Sequence, residues 1–156
     1  MQYQFPVKPH YRLAQITDCH LLASADHFYQ QVQPARHLAA IVAQLQTEQP
    51  DAVLLTGDMT QDHSAASYQL LAQLLADVRC PVFCLPGNHD DVSELSRLCQ
   101  HLPFRPERSL ALASWQLLLL NSKGETPSGV FPPAEQRWLT EQCQHSVADA
   151  IWLFCH

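Results

Sequence analysis

Three short stretches of this chain carry residues suited to holding metal ions and acting on a substrate: Asp18-Cys19-His20, Gly57-Asp58 and Gly87-Asn88-His89-Asp90. Together they offer carboxylates, imidazoles and an amide, the oxygen and nitrogen donors preferred by hard or borderline cations. Each stretch directly follows an apolar run: Leu13–Thr17, Ala52–Thr56 and Pro81–Leu85. Short runs of this kind predict buried strands. Loops at the ends of such strands are where α/β proteins place their chemistry. Gly87 is expected to let the chain turn sharply as the third run ends.

The elements that must position these loops follow from the pattern around them. Residues 1–10 contain two prolines and no periodicity, and predict a ragged lead-in to a domain spanning 11–156. Tyr11–Thr17 reads as the first strand. Pro34 suits a first helical turn, and Ala35, Leu38, Val42 and Leu45 recur at helical spacing up to about Gln49. Ala52–Thr56, apolar throughout, fits a strand covered on both faces. Ser64 can cap a second helix, with Tyr68, Leu71, Leu75 and Val78 as its buried stripe. Val82–Leu85 is the third strand. Asp91 and Glu94 have capping-box spacing and open a third helix running to about His101. After a link over Pro103–Arg108, Leu110–Ala113 and Trp115–Leu120 predict a hairpin. Pro132-Pro133 starts a helix through Trp138, Leu139 and Cys143, and Ala150–His156 is a final apolar strand. Alternating strands and helices in this order imply a layered α/β domain.

Bulk properties narrow the function. An apolar fraction of 47% with 15% charged residues is globular, not disordered. A net charge of −6 argues against a nucleic-acid-binding surface. An anionic small molecule stays compatible if metal ions supply positive charge. No apolar run approaches membrane-spanning length, so no membrane partner is expected. The N-terminus lacks a basic-then-apolar signal segment, and six cysteines fit a cytoplasmic chain with reduced thiols. Cys80 and Cys84 read as small apolar residues beside a strand, not as a metal clip.

The three motifs, in this order and each behind its own strand, resemble those of the calcineurin-like metallophosphoesterases. Gln15–Leu21, Thr56–Asp62, Leu85–Asp90, Trp115–Ser122 and Glu135–Leu139 are similar to the corresponding stretches of bacterial class III 3′,5′-cyclic AMP phosphodiesterases. The resemblance runs from about Arg12 to His156. It implies the α/β/β/α sandwich of that family, here its N-terminal portion, and hydrolysis of 3′,5′-cyclic AMP to 5′-AMP. It also implies two divalent cations, Fe²⁺ or Mn²⁺ with Zn²⁺ as the alternative. Such a pair clamps phosphoryl oxygens and brings the pKa of a water near neutrality. By the same resemblance, Asp18 and His20 hold the first metal, Asp58 bridges, and Asn88 and His156 hold the second. Asn88 and His89 would contact the substrate. His89 would serve the leaving 3′-oxygen as a catalytic group, with Asp90 orienting it. His10, His27, His37, His63, His101 and His145 read as solvated, His27 and His63 being near enough to the motif loops to line a pocket.

The family's Gly-His-x-His loop does not occur in these 156 residues. The expectation is therefore a truncated or split phosphodiesterase whose sheet leaves an apolar face uncovered, open to self-association. The alternatives are a metallophosphoesterase of another phosphodiester or a phosphomonoester, and a metal-binding fragment without turnover.

Overall fold

The apolar runs assemble into two sheets packed face to face in a computed structural model covering residues 1–156. One sheet contains β2 (Leu13–Ile16), β3 (Ala52–Thr56), β4 (Val82–Leu85) and β5 (Phe104–Arg105), all parallel and in that order. The other has the order β1 (Gln2–Gln4), β6 (Ser109–Leu112), β7 (Trp115–Leu119) and β8 (Ala150–Phe154). Only the hairpin β6–β7 is antiparallel there; β1 and β8 join as parallel edge strands.

Strand alternation divides the core in two. Val53 and Leu55 of β3, with Val82 and Cys84 of β4, face α1 (Pro34–Glu48), α2 (Ala65–Leu75) and α3 (Val92–Leu98). Ala52, Leu54, Phe83 and Leu85 face the other way, against Leu110, Leu112, Leu117 and Leu119 of the second sheet. β3 is therefore buried along its whole length, as its unbroken apolar run requires. α4 (Pro133–His145) lies against the outer face of the second sheet, where Gln116 donates to Gln142 at 3.4 Å. Four layers result: helices, sheet, sheet, helix.

Several expectations change. Residues 1–10 are not a ragged lead-in. β1 pairs with β6, and Phe5 is 4% exposed between the sheets, packed near Phe83. Three residues are too short for a periodic signal; the neighbouring strand decides. The link at 103–108 contains β5, which completes the first sheet. Val78 is buried but lies beyond the end of α2, in the turn. α3 ends at Leu98, short of His101. On α4, Trp138 and Leu139 are half-buried, Cys143 is exposed, and Glu135 is the buried residue. Polar contacts fix α4 instead. Arg108 pairs with Glu135, stacks over Trp138 at 4.1 Å, and donates from Nε to the Leu119 carbonyl at 3.1 Å.

The apolar face expected to lie open is covered, because the second sheet packs on the first. The exposed large apolar side chains include Trp115, Trp152 and Leu153 along β7 and β8. No helix is long and apolar enough to cross a membrane.

Candidate metal centre

Because β2, β3 and β4 are parallel and in register, their C-terminal ends open onto one edge of the sheet. The first two loops are then zipped together beyond the strands. Asp18 N–H donates to Gly57 O at 3.0 Å, His20 N–H to Asp58 O at 2.9 Å, and Leu21 N–H to Met59 O at 3.0 Å. Asp18, His20 and Asp58 all adopt left-handed backbone conformations, with φ of 56°, 46° and 52°. Asp and His visit that region more readily than bulky or β-branched residues. Such conformations cost on the order of 1–3 kcal/mol each and cluster at functional sites. Here they belong to the three residues whose ligand atoms converge, all within 4.8 Å of one another.

His20 Nε2 lies 3.7 Å from Asp18 Oδ1 and 3.8 Å from Asp58 Oδ2. These separations are too long for hydrogen bonds but suit atoms sharing one cation. His20 Nδ1 is buried with no hydrogen-bond partner. A buried imidazole normally finds a partner. Nε2, the nitrogen that faces the two carboxylates, is the one placed to take a cation at their junction. The donor set, two carboxylates and an imidazole, is that of a hard or borderline divalent metal.

His156 completes the other side of Asp58. Its Nε2 is 3.4 Å from Asp58 Oδ2, while its Nδ1 stands 3.0 Å from the Thr56 carbonyl oxygen. A carbonyl can only accept, so Nδ1 donates there, and Nε2 is the nitrogen turned towards Asp58. Two glycines make this packing possible. A Cβ on Gly57, whose φ is +98°, would sit 2.5 Å from His156 Nδ1. A Cβ on Gly87 would overlap the Asp58 carboxylate and amide. The need for glycine at 87 is thus close approach, not the turn expected there.

Asp58 Oδ1 accepts the His89 N–H at 2.8 Å, so Oδ2 is the oxygen that faces both His20 and His156. Asn88 sits on the same loop, its carbonyl accepting from Lys123 Nζ at 2.7 Å. The half-buried His89 ring meets His20 edge-on at 5.4 Å and stacks on His63 at 5.8 Å, with planes 15° apart.

Asp90 does not orient His89. Its carboxylate, fully buried, accepts from Gly87 N–H (2.9 Å), Met59 N–H (3.1 Å), Thr60 N–H (3.3 Å) and the Tyr68 hydroxyl (3.0 Å). It joins the second and third motif loops. Burial pushes its carboxyl above the usual range despite those donors. Cys19, between two site residues, is a packing residue: burial, then the Asp90 and Asp18 charges, push its thiol up to about 12.

His63 reaches the site, whereas His27 stays in an exposed turn. Tyr29, 5.1 Å from the His20 ring, Lys123 and Tyr68 escape sequence reasoning. Lys123 lies in a stretch read only as a loop, and Tyr68 within a stripe read only as core.

A family model described as calcineurin-like phosphoesterase matches residues 11–148. The chain belongs to the calcineurin-like phosphoesterases. A probable cyclic nucleotide phosphodiesterase of Pseudoalteromonas is 40% identical over 79% of this chain and 48% of its own length. The 3′,5′-cyclic adenosine monophosphate phosphodiesterase of Escherichia coli K12 is 32% identical over 89% of this chain and 50% of its own. This calcineurin-like chain thus spans about half the length of those relatives. A crystal structure of a dimetal phosphatase from Danio rerio shares the fold, with TM-score 0.66, 14% identity, and 96% and 70% of the two chains covered.

Proposed function

We propose that this calcineurin-like phosphoesterase is a metal-dependent phosphodiesterase that hydrolyses 3′,5′-cyclic AMP to 5′-AMP. The observation that carries the reading is the meeting of Asp18, His20 and His156 around Asp58 at one sheet edge. In this reading Asp18, His20 and Asp58 hold one divalent cation, and Asp58, Asn88 and His156 hold the other. When bound, the cations supply charge neutralisation for the phosphoryl group and acidify a water. Mn²⁺ or Fe²⁺ fits the mixed carboxylate, amide and imidazole donors, with Zn²⁺ as the alternative.

The remaining roles fall to the chain's own side chains. Asn88 and His89 bind the phosphoryl group, and His89 holds a proton for the leaving 3′-oxygen. His63, stacked on His89, limits the orientations of that ring. Lys123, tied to the Asn88 carbonyl, adds positive charge at the mouth of the site. Asp90 sets the loop spacing that keeps Asp58 beside Asn88. The substrate follows from the names of the relatives. The reading places the chain in the cytoplasm, where its six free cysteines stay reduced. It includes self-association along the exposed β7–β8 surface.

The test is incubation of the chain with Mn²⁺ and cyclic AMP, followed by chromatography for 5′-AMP, alongside metal counting by native mass spectrometry. Asp58→Ala is expected to lose bound metal. His89→Ala is expected to keep metal and lose turnover. Two bound metals with no 5′-AMP, but cleavage of p-nitrophenyl phosphate, would move the substrate to another phosphoester. Unchanged turnover in His89→Ala would overturn its assigned role.

A further inference from the structure

Four rings form a row across the metal centre. Tyr29 lies 5.1 Å from His20, His20 meets His89 at 5.4 Å, and His89 stacks on His63 at 5.8 Å. The two ends of the row differ. Tyr29 is half-buried behind His20, and its hydroxyl accepts from Gln30 at 3.2 Å. His63 is exposed, and His89 takes only one of its two ring faces.

The chain holds the His63 ring there against backbone strain. Its φ is 56°, a left-handed conformation that glycine adopts freely and a side chain does not. The residues on either side fix that conformation. Asp62 Oδ2 accepts the Ala23 N–H at 2.9 Å, while Asp62 Oδ1 accepts the Ser64 N–H at 3.1 Å and the Ser64 hydroxyl at 2.9 Å. Ser64 is itself the N-cap of α2. Strain kept at an exposed position beside a site is an observation that points to function.

We propose that the free face of His63 is the platform on which the base of a nucleotide stacks, so that His63 sorts nucleotides from phosphoesters that carry no base. The proposal rests on the phosphodiesterase reading of the metal centre. A 3′,5′-cyclic phosphate is fused to the ribose, which leaves little freedom between phosphorus and base. With the phosphoryl group at Asn88 and His89, the base lies about one sugar's width to the side of His89. His63 is the exposed ring beside His89. Histidine stacks on nucleobases as other aromatic side chains do, and needs no charged partner for it. His63 is thus a specificity residue, separate from the proton-holding role of His89.

The test is titration calorimetry of the Mn²⁺-loaded chain with 5′-AMP and, separately, with ribose 5-phosphate, which has the same sugar phosphate and no base. The wild type is expected to bind 5′-AMP roughly tenfold tighter, the scale of one stacked base. In His63→Ala the ratio of the two affinities should fall towards one. His63→Phe, which keeps a stacking ring, should keep the ratio. Equal weakening of both ligands in His63→Ala preserves the ratio and overturns the proposal, because His63 then acts only on the phosphate side. A wild-type ratio of one also overturns it, while leaving the phosphodiesterase reading intact. Binding of neither ligand by the metal-loaded wild type would sink that reading and the proposal together.

Discussion

The Tyr68 hydroxyl donates to Asp90 Oδ1 at 3.0 Å and accepts the Asp91 N–H at 2.8 Å. One phenol on α2 thus holds two consecutive residues where the third motif passes into α3. Asp90 in turn gathers N–H groups from the second motif loop. The helical layer thereby sets the position of the metal-binding loops.

Removing only that hydroxyl tests the link. Tyr68→Phe keeps the buried ring but leaves the Asp91 N–H and an Asp90 oxygen one partner short. A loss of about 1–3 kcal/mol is expected for a buried group left unsatisfied. Urea unfolding of both proteins at pH 7 measures it. A midpoint equal to wild type would show that water replaces the phenol.

Gly87→Ala should act on Asp58 without replacing a ligand. The new Cβ overlaps the Asp58 carboxylate and amide, and a strand end gives way poorly. The expected cost is about 1–3 kcal/mol of stability, as for overpacking elsewhere, with Mn²⁺ affinity lowered as Asp58 is displaced. Titration calorimetry with Mn²⁺, on protein shown to be folded by circular dichroism, reads this directly.

Asp91 caps α3 by accepting from Ser93 and Glu94 N–H at 2.8 and 3.0 Å. The Ser93 hydroxyl first, then the Glu94 N–H, hold its carboxyl below the ordinary 3.8. A carboxyl depressed in the folded state adds stability that is fully present above its unfolded pKa and lost as pH falls through its folded pKa. Asp91→Ala should therefore cost roughly 1 kcal/mol at pH 7. The gap from wild type should close as pH drops below 3.8. Thermal melts across that range would show an unchanging gap if the side chain acted by packing alone.

Phe5→Ala probes the stretch whose sequence gives no sign of structure. Phe5 is buried between the sheets, edge-on to Tyr3 at 4.9 Å. Truncating a buried Phe costs about 3–5 kcal/mol. A stability within a few tenths of wild type in guanidinium unfolding would mean that β1 does not hold the sheets together.

Long apolar runs and capping residues were legible because their signals are local. β3, β4 and the Ser64 and Asp91 caps lie where the pattern puts them. The reciprocal half of the Asp91–Glu94 box was not, since Tyr68 takes the Asp91 N–H and Glu94 pairs with Arg97. β1 and β5 were missed because two or three residues become strands only when a longer neighbour offers its edge.

The sequence by itself determined which residue types stand at the ends of β2, β3 and β4, and hence the donor chemistry of the site. Tertiary structure alone decided how they meet. The shared Asp58 Oδ2, the seat of His156 on Gly57, and the burial of Asp90 as a loop clamp all depend on contacts between distant segments. Side-chain type sets what an atom can bind. Which atom is left free to bind depends on hydrogen bonds made by backbone far away in sequence, such as His89 N–H on Asp58 Oδ1.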